Sequence, residues 1–167
     1  MTSQPPAAAL GGGMVLDDVP ALAAALPRTG ALMGLDLGTK TIGVAVSDAM
    51  RVVASPLQTI RRTRFGADAA AVLALAGPRA VAGVVVGLPL NMDGSEGPRA
   101  QSARAFGRNL ARLTELPIAF WDERLSTVAA ERALLEADAS RRRRSVVIDH
   151  VAAGYILQGA LDRMGHL

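Results

Sequence analysis

Gly34-Leu-Asp-Leu-Gly-Thr-Lys-Thr-Ile-Gly-Val-Ala-Val-Ser-Asp48 sets two short apolar runs, Leu32 to Leu37 and Ile42 to Val46, on either side of a Gly38-Thr39-Lys40-Thr41 connector. That pattern predicts a tight antiparallel hairpin. Asp36 is the only charge in a first run otherwise made of Ala, Leu, Met and Gly. A carboxylate there is costly to bury unless something compensates it. A divalent metal is one candidate. The amides of the Gly38-Thr39 turn are the other, a common arrangement for Asp beside a turn.

Outward from the hairpin, Arg51 to Ile60 predicts a third strand, which Pro56 confines to an edge or interrupts with a bulge. Phe65, Ala69, Val72, Leu73 and Ala76 recur at helical spacing and stop at Gly77-Pro78. Val81 to Val86 is continuously apolar, as in a parallel strand covered on both faces. A polar loop, Asn91 to Gly97, precedes Pro98, which suits the first turn of a helix. That helix puts Ala103, Phe106, Leu110 and Leu113 on one face and Arg104, Arg108 and Arg112 on another, read as a solvated face. Ile118 to Trp121 is a short strand that runs into Asp122-Glu123-Arg124. Ser126 or Thr127 caps a helix through Ala137, and Arg141 to Arg144 fall in a linker before a last helix opened by Ser145.

The order of elements describes an α/β fold: a mixed five-stranded sheet, an antiparallel three-strand meander plus two parallel strands, with helices on both faces. Residues 1–30 mix Pro, Ala, Gly and Ser without sustained periodicity and are expected to form a flexible extension, with a short turn capped by Asp18. Residues 31–167 are the expected domain.

Composition narrows the function classes. Half of the 167 residues are hydrophobic and a fifth charged, which is a globular and not a disordered balance. There is no cysteine, so disulfides, thiolate metal sites and cysteine nucleophiles are excluded, and a cytoplasmic address fits. No apolar run approaches the ~20 residues that cross a bilayer, and no membrane partner is expected. The net charge is +3, with Lys40 the single lysine among 18 cations. Arginine suits bidentate phosphate contacts, although the bulk preference also matches a GC-rich coding bias.

Three acids can be brought together by such a sheet. Asp36 lies late in the first strand, Glu123 just past the last, and Asp149 on the final helix, where Ala153, Ile156 and Ala160 follow it along an apolar stripe. Sites in sheets of this kind lie at the carboxyl ends of the central strands. Hard cations such as Mg²⁺ or Mn²⁺ take oxygen ligands and keep positions for water and phosphate, and a pair of them can promote phosphodiester hydrolysis. Each acid also has a structural reading: a turn for Asp36, a surface pair with Arg124 or Arg132 for Glu123, and the macrodipole of the last helix for Asp149. Asp122 reads as support for Glu123, with the reverse assignment open, and Thr127 as further support. Asp48 reads as a turn residue and His150 as a packing or surface histidine. Lys40 and Arg124 are candidate phosphate contacts, and Arg141, Arg142, Arg143 and Arg144 a candidate grip on a nucleic-acid backbone.

Four motifs carry a family resemblance: Gly34 to Asp48, Val86-Gly-Leu-Pro-Leu-Asn-Met-Asp-Gly-Ser-Glu96, Trp121-Asp-Glu-Arg-Leu-Ser-Thr127 and Asp149-His-Val-Ala-Ala-Gly-Tyr-Ile-Leu-Gln158. Over about Leu32 to Asp162 the chain resembles the YqgF (RuvX) family of RNase H-like nucleases. The resemblance implies an RNase H-like fold and metal-dependent cleavage of nucleic acid, with precursor 16S rRNA as the favoured substrate and branched DNA as the older one. It carries Asp36, Glu123 and Asp149 as the acidic set. A monomer and a homodimer are both open from the sequence. Thr41 departs from the arginine that many members carry, and residues 1–30 are extra. The hairpin also resembles the phosphate cradle of actin and sugar-kinase ATPases, but that class needs two domains and a second glycine-rich motif. A non-catalytic RNA-binding assembly factor on the same fold is the third reading.

Overall fold

The computed structural model describes the backbone of residues 13–125 and 141–167, and the side chains of 13–125 and 150–167. Among these residues the elements run β1 (Val15–Leu16), α1 (Val19–Ala25), β2 (Ala31–Leu37), β3 (Thr41–Ser47), β4 (Ala54–Arg61), α2 (Phe65–Ala76), β5 (Val81–Leu88), α3 (Pro98–Ala111), β6 (Ile118–Asp122) and α4 (Arg141–Gly165). Short 3-10 turns occupy Gly77–Arg79 and Glu123–Leu125.

The strands form one mixed sheet in the order β1-β6-β5-β2-β3-β4. β2, β3 and β4 are the expected antiparallel meander, and β5 and β6 join it in parallel. Pro56 acts as its chemistry requires: β4 is an edge strand, and its register with β3 shifts between Val44 and Ala45, opposite the proline. β5 is flanked by parallel neighbours on both sides, which is why Val81 to Val86 shows no polar alternation.

The sheet has six strands and not five. β1 pairs in parallel with β6 through Val15–Ile118 and Leu16–Ala119. It is followed by α1, whose N-cap Asp18 accepts the Ala21 amide at 2.9 Å and whose Leu22 is fully buried. From Gly13 onward the chain therefore differs from the expected flexible extension. Two residues are too few to show strand alternation, and the Ala-rich helix lacks the polar face that would betray its period. Burying Leu22 contributes about 1.5–3 kcal/mol toward holding so short a helix against the sheet.

Side-chain alternation divides the core in two. Met33, Leu35, Val84, Val86 and Phe120 pack with α2 and α3 on one face. Leu32, Val85, Ala119 and Trp121 pack with α1 and α4 on the other. α4 lies unusually close: a Cβ on Gly34 would stand 2.7 Å from the Leu157 Cβ and 3.1 Å from the Ala153 carbonyl oxygen. Only glycine permits that approach.

Two helix ends differ from expectation. α4 begins at Arg141, so Arg141 to Arg144 form its first turn instead of a linker. Cations oppose the positive end of a helix dipole, so the sequence points to Ser145, a good cap, as the start. α3 ends at Ala111, which leaves Leu113 beyond it and 48% exposed. Arg104 is no part of a solvated face, since it pairs with Glu96 and lies 5.1 Å over the Phe120 ring. The helix expected from Ser126 or Thr127 to Ala137 lies outside the described residues.

Candidate active site

The parallel strands β2, β5 and β6 end side by side, and the candidate acids follow from that register. Leu35 pairs with Val86, so the next step along both strands sets Asp36 beside Gly87. Gly87 pairs in turn with Trp121, two residues before Glu123. Asp36 and Glu123 are thus not on adjacent strands; β5 separates them and Gly87 lies between.

Both acids belong to the α4 face. Asp36 follows Gly34 by two residues, and Gly34 abuts α4, so alternation directs Asp36 to the same side. It is 5% exposed, one of the few polar residues in the described core. Glu123 opens the 3-10 turn after β6 and is half-buried. Its carboxyl carbon lies 3.5 Å from where a Gly87 Cβ would stand, a position already 2.5 Å from Ile156 Cδ1. The missing side chain at Gly87 leaves open space between the strands that carry the two acids.

Asp149 lies in the third turn of α4. Ala152 and Ala153, three and four residues later, are buried against this face, so helical spacing puts Asp149 one turn nearer the strand ends on the same stripe. This position is not the helix N-terminus, which removes the macrodipole as the reason for an acid there. Its carboxylate is outside the described side chains, and among the described residues no three acids or histidines converge as a metal cluster. His150 is a packing residue: its Nδ1 is 2.9 Å from the Thr59 hydroxyl of β4.

Asp122 and Arg124 form a separate unit. The Asp122 carboxylate accepts the Arg124 backbone amide at 3.0 Å and the guanidinium at 2.8 Å. The Arg124 side chain holds the Asp122 carboxyl below the usual aspartate range despite partial burial, and the same bonds raise the arginine. Arg124 also donates to the Met92 carbonyl oxygen at 3.3 Å, which ties down the loop that follows β5. Inside that loop Asp93 accepts from the Ser95 amide at 2.9 Å and from its hydroxyl, bonds that lower the Asp93 carboxyl. Sequence reasoning made Arg124 a phosphate contact; the structure turns its donors toward Asp122 and the loop.

Lys40 is exposed in the β2–β3 turn. Asp48 is the expected turn residue, accepting the amides of Val52 and Val53, each at 2.9 Å. Thr127 lies outside the described residues. Two cations near the strand ends were missed by sequence reasoning: Arg62 donates to the Gly38 carbonyl oxygen at 2.7 Å and Arg99 to that of Leu37 at 3.3 Å. No local signal marks them, because β4 and α3 bring them to the turn from opposite directions.

Comparison with known proteins matches this architecture. The family described as "RuvX: Holliday junction resolvase" matches residues 30–163. A protein of Paracoccus denitrificans (strain Pd 1222) is 72% identical over 154 residues, covering 92% of this chain and 98% of its own. One of Ruegeria pomeroyi is 70% identical over 154 residues, covering 92% of this chain and all of its own length. Both carry the provisional name of pre-16S rRNA nuclease. Only four residues follow Arg163, so a match of 154 residues also takes in the β1–α1 segment. The structure of T. thermophilus RuvC in complex with Holliday junction substrate superposes with a TM-score of 0.51 at 16% identity, over 81% of this chain and 96% of that one, a likeness of fold. The sheet order, the strand-end carboxylates and the extent of these matches lead to one conclusion: the chain belongs to the RuvX family.

Proposed function

We propose that this protein is a metal-dependent nuclease that hydrolyses phosphodiester bonds in nucleic acid, with the 5′ end of pre-16S rRNA as its substrate in ribosome biogenesis. What supports the reading is that the strands on either side of Gly87 lead to Asp36 and Glu123 on the face that α4 covers. The relatives' names supply the RNA. Branched DNA is the second reading, favoured by the description of the family.

The donor set fits a hard divalent cation: carboxylate oxygens only, with no cysteine in the chain. Asp36, Glu123 and Asp149 would hold Mg²⁺ or Mn²⁺, singly or as a pair, and the ion would supply Lewis-acid charge and lower the pKa of a bound water. The chain's own residues do the rest. Asp36 is fixed by the sheet on both sides, so its carboxylate does not have to be ordered when substrate arrives. Arg124 acts as a positioning residue, holding Asp122 and the Met92 loop around Glu123, and Lys40 faces the substrate phosphates from the turn. Arg141 to Arg144, in the first turn of α4, are the residues proposed to grip the nucleic-acid backbone. Among the described residues no helix is long and apolar enough to cross a membrane, and the proposed work is cytoplasmic.

The test is cleavage of pre-16S rRNA and of four-way DNA junctions with Mg²⁺ or Mn²⁺, by wild type and Asp36→Asn. RNA cleavage lost in the variant supports the reading. Equal cleavage by both proteins removes Asp36 from the mechanism, junction cleavage alone turns the substrate to DNA, and binding without cleavage makes the chain an assembly factor.

A further inference from the structure

Arg62 and Arg99 reach the exit of β2 from β4 and α3, and grip consecutive peptide carbonyls, those of Gly38 and Leu37. Both side chains border the same cavity at the turn. Neither makes an ion pair among the described residues. They line a cavity of about 120 Å³ with Gly38, Thr39, Pro98 and Ser102. No acid is in that lining, and the hydroxyls of Thr39 and Ser102 make no hydrogen bond among the described residues. The first turn of α3 opens nearby, without a side-chain cap.

Two guanidinium groups that border one cavity without a carboxylate repel each other, and each uses one of five N–H donors on its carbonyl. A tetrahedral oxyanion relieves the repulsion and accepts the remaining donors, with hydroxyls at hand for its other oxygens. We propose that this cavity is a phosphate subsite that holds a backbone phosphate of the nucleic acid flanking the scissile one. The subsite rests on the nuclease reading. It lies one residue beyond Asp36 along β2, but on the α3 side of the strand, so it takes a strand that bends around the β2–β3 turn. A free phosphate is the other source of the same chemistry.

The experiment uses the full chain and compares Arg62→Ser/Arg99→Ser with Arg62→Lys/Arg99→Lys. A single-stranded oligoribonucleotide substrate gives KM, kcat and salt dependence, and inorganic phosphate is titrated while the Gly38, Thr39 and Ser102 amides are followed by NMR. The serine variant is expected to raise KM about tenfold with kcat little changed, the lysine variant to recover part of it. The salt slope is expected to fall by about 0.7, the value for one phosphate contact on a single strand. Unchanged KM and slope, with wild type active, overturn the subsite and leave the nuclease reading standing. Amide shifts with phosphate from a wild type that neither binds nor cleaves the oligonucleotide overturn both and assign the cavity to free phosphate. If the double variant fails to fold, Arg99→Ser alone, on an exposed side chain with the longer bond, decides by the same KM readout.

Discussion

On one side of the sheet, α4 lies against β2 so closely that Gly34 has no room for a Cβ, and the strand ends beneath that helix carry carboxylates. On the other side, α2 and α3 stand off across larger side chains, Leu35, Val86, Phe106 and Phe120, and the rim carries Arg62 and Arg99. Acids and cations thus reach the same end of the sheet on opposite faces, with the thickness of one strand between them. Adjacent on one face, they would neutralise each other as ion pairs. Separated, the acids stay available to a cation and the guanidinium groups to an anion. One pair that does form, Asp122–Arg124, shows what proximity does: it holds a loop instead of a ligand.

The largest effect should come from the acidic face. Asp36→Asn is expected to lower cleavage by at least about 100-fold. The metal-free variant should be no less stable than wild type, because a buried carboxylate is replaced by a neutral amide. Mg²⁺ or Mn²⁺ should raise the Tm of wild type and not of the variant. A variant that still gains stability from metal would remove Asp36 from the ligand set.

Gly34→Ala tests the closeness of that face. The new methyl meets the Leu157 Cβ and the Ala153 carbonyl, neither of which can swing aside. A loss of about 1–3 kcal/mol is expected in denaturant unfolding, read from the midpoint. A shift no larger than that of a surface substitution would mean α4 yields freely, and the contrast between the faces would fail.

Arg124→Ala should lower activity about tenfold, a size typical of residues supporting a metal ligand, while leaving KM for RNA within a small factor. A rise in KM alone would return Arg124 to the substrate. The pH dependence has a definite sign. The Asp122 carboxyl is depressed in the folded protein, so its contribution to stability is full above the ordinary aspartate pKa and is lost as pH falls through the lowered value. Loosening of the 89–97 loop, followed by amide exchange at Met92 to Gly94, should appear in acid in the wild type and already at neutral pH in Arg124→Ala.

The smallest effect belongs to the arginines that open α4. Serine at positions 141 to 144 should weaken RNA binding and lower the salt slope by about 0.7 for each phosphate contact removed. The same change should leave stability unchanged or raise it by a few tenths of a kcal/mol or more, since four cations at a helix N-terminus oppose the dipole. Weaker binding with lower stability would mean the run is structural.

The comparison also explains what could be read in advance. The hairpin, the buried strand Val81 to Val86, α2 and the apolar stripe of α4 each depend on periodicity within one segment, and so do Asp36 and Glu123 as strand-end acids. β1 was illegible because its two residues take their meaning from Ile118 and Ala119, about a hundred positions away. The role of Gly87 needed the register of three strands. The start of α4 was hidden by a composition that argues against a helix there. Arg62 and Arg99 look like any surface arginine until β4 and α3 converge.

α4 is the last element in chain order, and it covers the face formed by Leu32, Val85 and Ala119. Everything beneath it has been synthesised by residue 125. A ribosome-bound chain therefore holds its strands and its first two acids while that face stays bare, and the third acid arrives only with the cover. Covering that face and assembling the proposed site are the same event, so a copy lacking α4 would be left sticky before it could cut.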